Sequence, residues 1–481
     1  MPFSAKTVRI LRRALLGLAG FATVVAAAWL VENVRGQRAW DATLKEYAGR
    51  GDPLDVLPVP PPIPVEQNFM QTPLLMRLVL ARSNSPELTA FREKHPLYDL
   101  VQEQRHPWDE GKRLDLDALA EEVKAHFAEK RRQAPSESAE SSAAQLLSWF
   151  SGDDSPLSEL RMAALQRPES RLVQSETPVL GGLLNASTPN YALLRHFVSS
   201  TSIHASAALA QRQPDVAFPS VVAGLNLGRG LSDPSQTLLE SMLATVLLRM
   251  TVQPLWEGLQ ARAWNDRHLQ RFGDVLSTID PMGSLAQAVR NERNNAMFLP
   301  RSALIPPEDR KTTMPGWFWF RLMPLGWWRQ NQVSIVRMND APLRVIDNHD
   351  QSEFRKWLDA LPDVTEPPSP YNLFANQMLT AYRRIIPNCA RTTQALRLAA
   401  TACALERHRL AHAEYPESLA ALVPTFLRSV PRDVVTGEPL HYRRNADGTF
   451  TLYSVGLDGD DDGGVRPADP KVTDGDGDWV W

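Results

Sequence analysis

ALLGLAGFATVVAAAWLV, residues 14–31, decides how this chain is read: an uncharged run preceded by Lys6, Arg9, Arg12 and Arg13 and followed by Glu32. Its length is close to the shortest helix that crosses a hydrocarbon core of about 30 Å. Basic residues before the run and an acid after it predict a cytoplasmic N-terminus, with the rest of the chain outside the cytoplasm. Ala26-Ala27-Ala28 also supplies the small residues of a signal-peptide cleavage pattern, so a cleaved export signal is the competing expectation. The apolar run is longer than a usual signal core, which favours a retained anchor.

Working outward, residues 1–35 read as the anchor and 36–66 as a juxtamembrane spacer, because Pro58, Pro60, Pro61, Pro62 and Pro64 stiffen the chain. Peptide docking on that polyproline stretch is the alternative. Residues 67–385 read as a helical body. Within it, 133–155 is rich in Ser, Ala and acidic residues and predicts a mobile loop or boundary. From Tyr191 to about Leu299 consecutive helices are expected. Asp233-Pro234 and Asp280-Pro281 each place a capping aspartate before a first-turn proline. Leu238, Leu239, Met242, Leu243, Val246 and Leu247 predict a broad apolar face between them.

At 481 residues the chain can bury a sizeable core, and 43% apolar with 22% charged residues is ordinary for a globular protein. A net charge of −3 with no basic, aromatic-interleaved stripe argues against nucleic acid as a partner. Cys389 and Cys403 lie on one expected helix, about 21 Å apart at 1.5 Å per residue, too far for a disulfide.

The last 96 residues, 386–481, read as a helix and a small antiparallel sheet. Pro387-Asn388 predicts the helix start, Leu396, Ala399, Ala400, Cys403 and Leu410 its buried face, and Tyr415-Pro416 its end. Two strands, 441–444 and 449–455, flank Asn445-Ala446-Asp447-Gly448, whose Asp-Gly favours a hairpin turn. An acidic end follows: Asp458, Asp460, Asp461, Asp462, Asp469, Asp474, Asp476 and Asp478 face only Arg466 and Lys471. Such a cluster is solvated or is neutralised by a cation. Residues 474–478 begin like an EF-hand loop, but Trp479 stands where its glycine belongs.

Residues 415–464, YPESLAALVPTFLRSVPRDVVTGEPLHYRRNADGTFTLYSVGLDGDDDGG, resemble the globular tip of a type II secretion pseudopilin. The resemblance implies a helix packed on a small sheet and calcium in the loop matching Gly456 to Gly464, with Asp458, Asp460 and Asp461 as ligands. A solvated acidic loop without metal is the alternative. It does not extend to filament assembly: after Gly20-Phe21, Val25 stands where pseudopilins carry glutamate, and Asp433-Val434 replaces their frequent Asp-Pro. The chain as a whole resembles a group of large bacterial envelope proteins that share the anchor, the proline spacer before Gln67-Asn68-Phe69, a helical body and this ending. Residues 205–231 also resemble one tetratricopeptide hairpin, with Ala205, Ala208, Leu209, Ala217, Val221 and Leu225 at packing positions. Pro219 interrupts its second helix and no second copy follows, so an irregular helical array is expected.

Four constellations have residue types that can carry chemistry. His408 and His412 have the four-residue spacing of a zinc clamp, without a third ligand. Glu240 and Glu292 sit in apolar helical stretches, where buried carboxylates do acid–base work. Pairing of Glu292 with Arg290 and Arg293, and solvent exposure of Glu240, are the structural alternatives. A polar pocket lined by these carboxylates or by His196 would mark an enzyme. Residues 224–230, GLNLGRG, lack the lysine of a phosphate loop. Trp317, Trp319, Trp327 and Trp328, with Arg321 and Arg329, suit a membrane interface, a partner surface or core packing.

The sequence therefore predicts a mainly α protein with one transmembrane helix, an irregular helical body and a small α+β ending. As function it predicts a non-enzymatic, single-pass protein of the bacterial inner membrane with a periplasmic body that binds other envelope proteins. An exported hydrolase with a dispersed site is the second reading.

Overall fold

The computed structural model describes residues 5–55, 60–81, 85–95, 97, 107–129, 141–152, 155–172, 189–232, 237–298, 323–347, 354–359, 367, 369–373, 375–467 and 477–481. The chain is mainly helical, with one long apolar N-terminal helix and a small three-stranded sheet. Helix α1 spans Ala5–Gly49, about 67 Å at 1.5 Å per residue. Its first half leaves Leu15, Leu18, Phe21, Val24 and Leu30 exposed. Its second half buries a stripe of Gly36, Trp40, Thr43 and Tyr47, spaced by three and four residues along one face.

Among the described residues six helices follow: α2 (Pro73–Val79), α3 (Pro86–Lys94), α4 (Leu116–Glu129), α5 (Ser142–Ser151), α6 (Pro156–Gln166) and α7 (Tyr191–Ala210). Then α8 (Pro214–Ser232) turns back on α7, and α9 (Leu238–Gln260) packs on both. Caps set the starts. Asn190 accepts from Leu193 N on α7, and Thr237 with Glu240 forms a capping box on α9. Small residues let these helices approach closely. A Cβ on Gly228 would meet the Leu248 side chain, and one on Gly224 would meet Thr251.

Beyond them lie α10 (Asp266–Leu276), α11 (Pro281–Asn295), α12 (Leu325–Met338), α13 (Asp340–Asp347), α14 (Phe354–Asp359) and α15 (Ala375–His412). Strands β1 (His441–Arg444), β2 (Phe450–Ser454) and β3 (Trp479–Val480) form an antiparallel sheet in that order. The β1–β2 register pairs His441 with Tyr453 and Arg444 with Phe450, and Gly448 takes a positive φ in the turn. The largest apolar core is shared: Phe69, Leu194, Leu225, Leu248, Leu398, Leu452 and Trp481 belong to one cluster. A second gathers Leu285, Val289, Ile386 and Cys389 with Val434 and Leu457, and a third joins Trp40 and Tyr47 to Val333 and Val336 of α12.

Several expectations are corrected here. The boundary at 386 falls inside α15, which runs through Pro387; Asn388 is no cap, its Nδ2 donating instead to Arg384 O at 2.8 Å. Burial on both sides of Pro387 outweighs one missing backbone donor. Pro219 likewise lies inside α8 without breaking it. Residues 36–49 continue α1 and are no spacer. The proline segment after them is tied to the body, since Arg171 donates to Pro61 O and Arg167 to Val65 O. Residues 142–151, expected as loop, form α5 with Ser141 as its cap. On α9 Leu247 is buried as expected, but Leu239 and Met242 are exposed, and the buried face also carries Glu240, Ser241, Ala244 and Leu248. Asp280 caps α11 as expected, whereas Asp233-Pro234 lies outside the described residues.

Candidate functional site

The junction between α1 and α12 is the place where the apolar helix meets the body. Both helices run the same way: Gly326 meets Glu32 to Gly36, Arg329 lies over Trp40, and Arg337 reaches Glu46. Gly36 and Gly326 make the crossing. A Cβ on Gly326 would run into the backbone of Glu32 and Asn33, and one on Gly36 into the backbone of Gly326. Only two glycines permit that approach. Asn33 Oδ1 accepts from Gly326 N at 2.8 Å, a cap at the start of α12 that comes from another helix.

The far end of the junction is polar and closed. Tyr47 donates to Asp340 Oδ1 at 2.6 Å, and burial and that carboxylate push its phenol above its ordinary range. Just past α1, Asp52 holds the buried Arg293 with two bonds of 2.5 and 2.7 Å. The Arg293 guanidinium keeps the Asp52 carboxyl below its usual range, a two-pronged geometry that fixes direction as well as distance.

The loop 456–464 is built differently. Asp458 accepts from Gly477 N at 2.8 Å and from Asp460 N at 3.3 Å. Asp461 accepts from Gly463 N and the Tyr453 hydroxyl, both at 2.9 Å, and lies 3.4 Å from His441 Nδ1. Those bonds lower its carboxyl. Asp478, fully buried, accepts from Gly464 N at 2.6 Å and Asp462 N at 3.5 Å, while burial raises its carboxyl. Loop and β3 are thus laced from both sides: Asp458 reaches across to Gly477, and Asp478 reaches back to Gly464.

Asp458, Asp460 and Asp461, the calcium set implied by the resemblance, belong to this laced loop. Asp458 and Asp461 act as loop acceptors, and no cluster of three or more His, Cys, Asp or Glu among the described residues is placed to hold a metal. Asp469, Asp474 and Asp476 lie outside the described residues. Asp433, at the position of the frequent Asp-Pro, is buried and accepts from Val435 N at 2.7 Å and Val455 N at 3.2 Å, so it builds the turn without the proline.

Glu240 and Glu292 are brought together at the start of α9. Glu240 is buried, closes the capping box and accepts from the Tyr191 hydroxyl at 3.1 Å. Arg290 pairs with Asp347 and Arg293 with Asp52, so neither arginine serves Glu292. Burial raises the Glu292 carboxyl, its contact with Leu238 N lowers it, and the Glu240 charge raises it again. His196 is half-buried on α7. His408 and His412 stack at 4.2 Å, each with Nδ1 at 3.0 Å from a backbone carbonyl, which accounts for both without zinc. Residues 224–230 lie within α8, Trp328 is buried and Trp327 half-buried; Trp317, Trp319 and Arg321 lie outside the described residues.

One buried cluster was missed. His204 on α7 has Ser220 Oγ at 3.0 Å from Nδ1, and Ser151 Oγ at 3.0 Å and Arg161 Nη1 at 3.3 Å from Nε2. A guanidinium only donates, so Nε2 is the acceptor and hydrogen-bond logic puts the proton on Nδ1. Burial and the Arg161 charge lower His204 to about 3. The cluster ties α5, α6, α7 and α8 together through one buried imidazole. Only the partners, scattered from 151 to 220, reveal it. Comparison with family models, with curated proteins and with solved structures found no match for this chain.

Proposed function

We propose that this chain is a membrane-anchored protein of the bacterial cell envelope, with a cytoplasmic N-terminus and a periplasmic body that serves as a binding or structural module. One observation carries the reading: α1 is a single helix whose first half is apolar and uncovered and whose second half is buried in the body. An uncovered apolar run of that length is stable in lipid and costly in water. The cleavage pattern at Ala26 to Ala28 lies in mid-helix, which favours the retained anchor over the cleaved signal. The test is extraction of native membranes at alkaline pH followed by intact mass. A membrane-retained chain keeping residues 1–28 is expected; a soluble chain beginning near Trp29 would overturn the proposal.

The pseudopilin-like reading of residues 386–481 belongs to the same proposal. It is supported by α15 packed against the sheet β1–β3 and by the acidic loop after β2. Crosslinking of the tagged chain in its native cells tests it, with secretion or pilus components as the expected partners. The hydrolase reading rests on the buried pair Glu240 and Glu292 with Tyr191 beside it. Unchanged activity of Glu292→Gln on any substrate found for the chain would end it.

A further inference from the structure

The anchor places one more surface at the bilayer. If residues 14–31 fill the hydrocarbon, they span about 27 Å, and Glu32 to Gly36 enter the headgroup layer. The start of α12 lies at that same level, because Gly326 crosses α1 at Glu32 to Gly36. Tyr371 is there too: its hydroxyl donates to Glu32 Oε2 at 3.3 Å, Arg35 lies over its ring at 5.2 Å, and Trp327 meets it edge-on at 6.2 Å. Leu325, 43% exposed, opens α12, and Trp29 of α1, 40% exposed, lies about one turn before Asn33. Half-buried aromatic rings beside a charged rim suit the boundary between hydrocarbon and water.

We propose that Leu325, Trp327 and Tyr371, together with Trp29, form a lipid-contacting surface that seats the body directly on the bilayer crossed by α1. The occupant is the headgroup layer of that membrane, because the surface is continuous with the anchor and leaves no stalk between them. The inference rests on the anchoring proposed above, and it adds a second membrane contact separated in sequence by almost the whole body. It also gives a use to the start of α12, whose Leu325 points apolar surface outward beside a transmembrane segment.

The test uses the full chain in vesicles of zwitterionic and anionic phospholipid. Cys389 and Cys403 are buried, so one introduced cysteine can carry an environment-sensitive fluorophore. Leu325→Cys is compared with Leu18→Cys in the span and with Met162→Cys, a position 60% exposed on the body. Lipids with nitroxides at the headgroup or deep in the chain serve as quenchers. The Leu325 label is expected to be quenched severalfold more strongly by the headgroup nitroxide than the Met162 label, and the Leu18 label by the deep one. A Leu325 label that behaves like Met162 while Leu18 is quenched would overturn the membrane contact and leave the anchor standing. Absence of quenching at Leu18 would overturn the anchor, and this surface with it.

Discussion

The α1–α12 junction and the loop 456–464 hold their parts together by opposite means. At the glycine crossing of the junction two backbones touch, while its charges lie at the rim and at the polar far end. At the loop the charges are the contact: Asp458, Asp461 and Asp478 are bonded to backbone N–H groups and a hydroxyl. Shape complementarity is indifferent to pH and intolerant of one methyl group. Carboxylate lacing answers to protons.

The difference is broken most directly at Gly326. Gly326→Ala places a Cβ in the backbone of α1, and a loss of about 3 kcal/mol is expected, near the upper end of overpacking costs. Denaturant unfolding of the full chain in detergent measures it; an unchanged midpoint would show that the crossing is looser than described. Next is Asp478→Ala, which strips the acceptor from Gly464 N at the loop and should cost about 2 kcal/mol. The same substitution should leave the junction intact, read as unaltered protease resistance near Arg50.

A third prediction uses the pair at α9. The Glu292 carboxyl is raised in the folded chain, so its contribution to stability is fully present below its ordinary range and is lost as pH rises through the raised value. Glu292→Gln should therefore stabilise by about 1 kcal/mol at pH 8 and by nothing near pH 4, against melts of the parent chain. A gain independent of pH would mean that the carboxylate is not paying for burial. Asp461 runs the other way. Its carboxyl is lowered, so its contribution is present above the ordinary carboxylate range and fades as pH falls through the lowered value. Chemical shifts of Tyr453 and His441 should move in that acid window while those of Trp40 stay fixed. The smallest effect belongs to the junction's rim: Arg35→Ala removes an exposed pair with Glu32 and should cost no more than about 0.5 kcal/mol.

What was legible in the sequence was what is local. The apolar run of α1, the Asp280-Pro281 cap and the hairpin at Asn445 to Gly448 are each decided within a few residues. Crossings were not legible: Gly36 and Gly326 are separated by 290 positions, and neither carries a signal of its own. Proximity in sequence misled at Glu292. Arg290 and Arg293 sit on other faces of α11 and found Asp347 and Asp52 instead. Pro387 misled for the reverse reason, since a local breaker was overruled by burial across both halves of α15. Asp478 read as part of a solvated tail because β3, which buries it, is only two residues long.

If residues 14–31 cross a bilayer as proposed, an unbroken α1 makes that span and the body one lever. A helix of about 67 Å moves its far end by roughly 1 Å for each degree of tilt. Transmembrane helices tilt to match the thickness of the lipid around them. With the glycine crossing rigid, such a tilt would swing the body as a piece, so the thickness of the bilayer would set where its outer face stands.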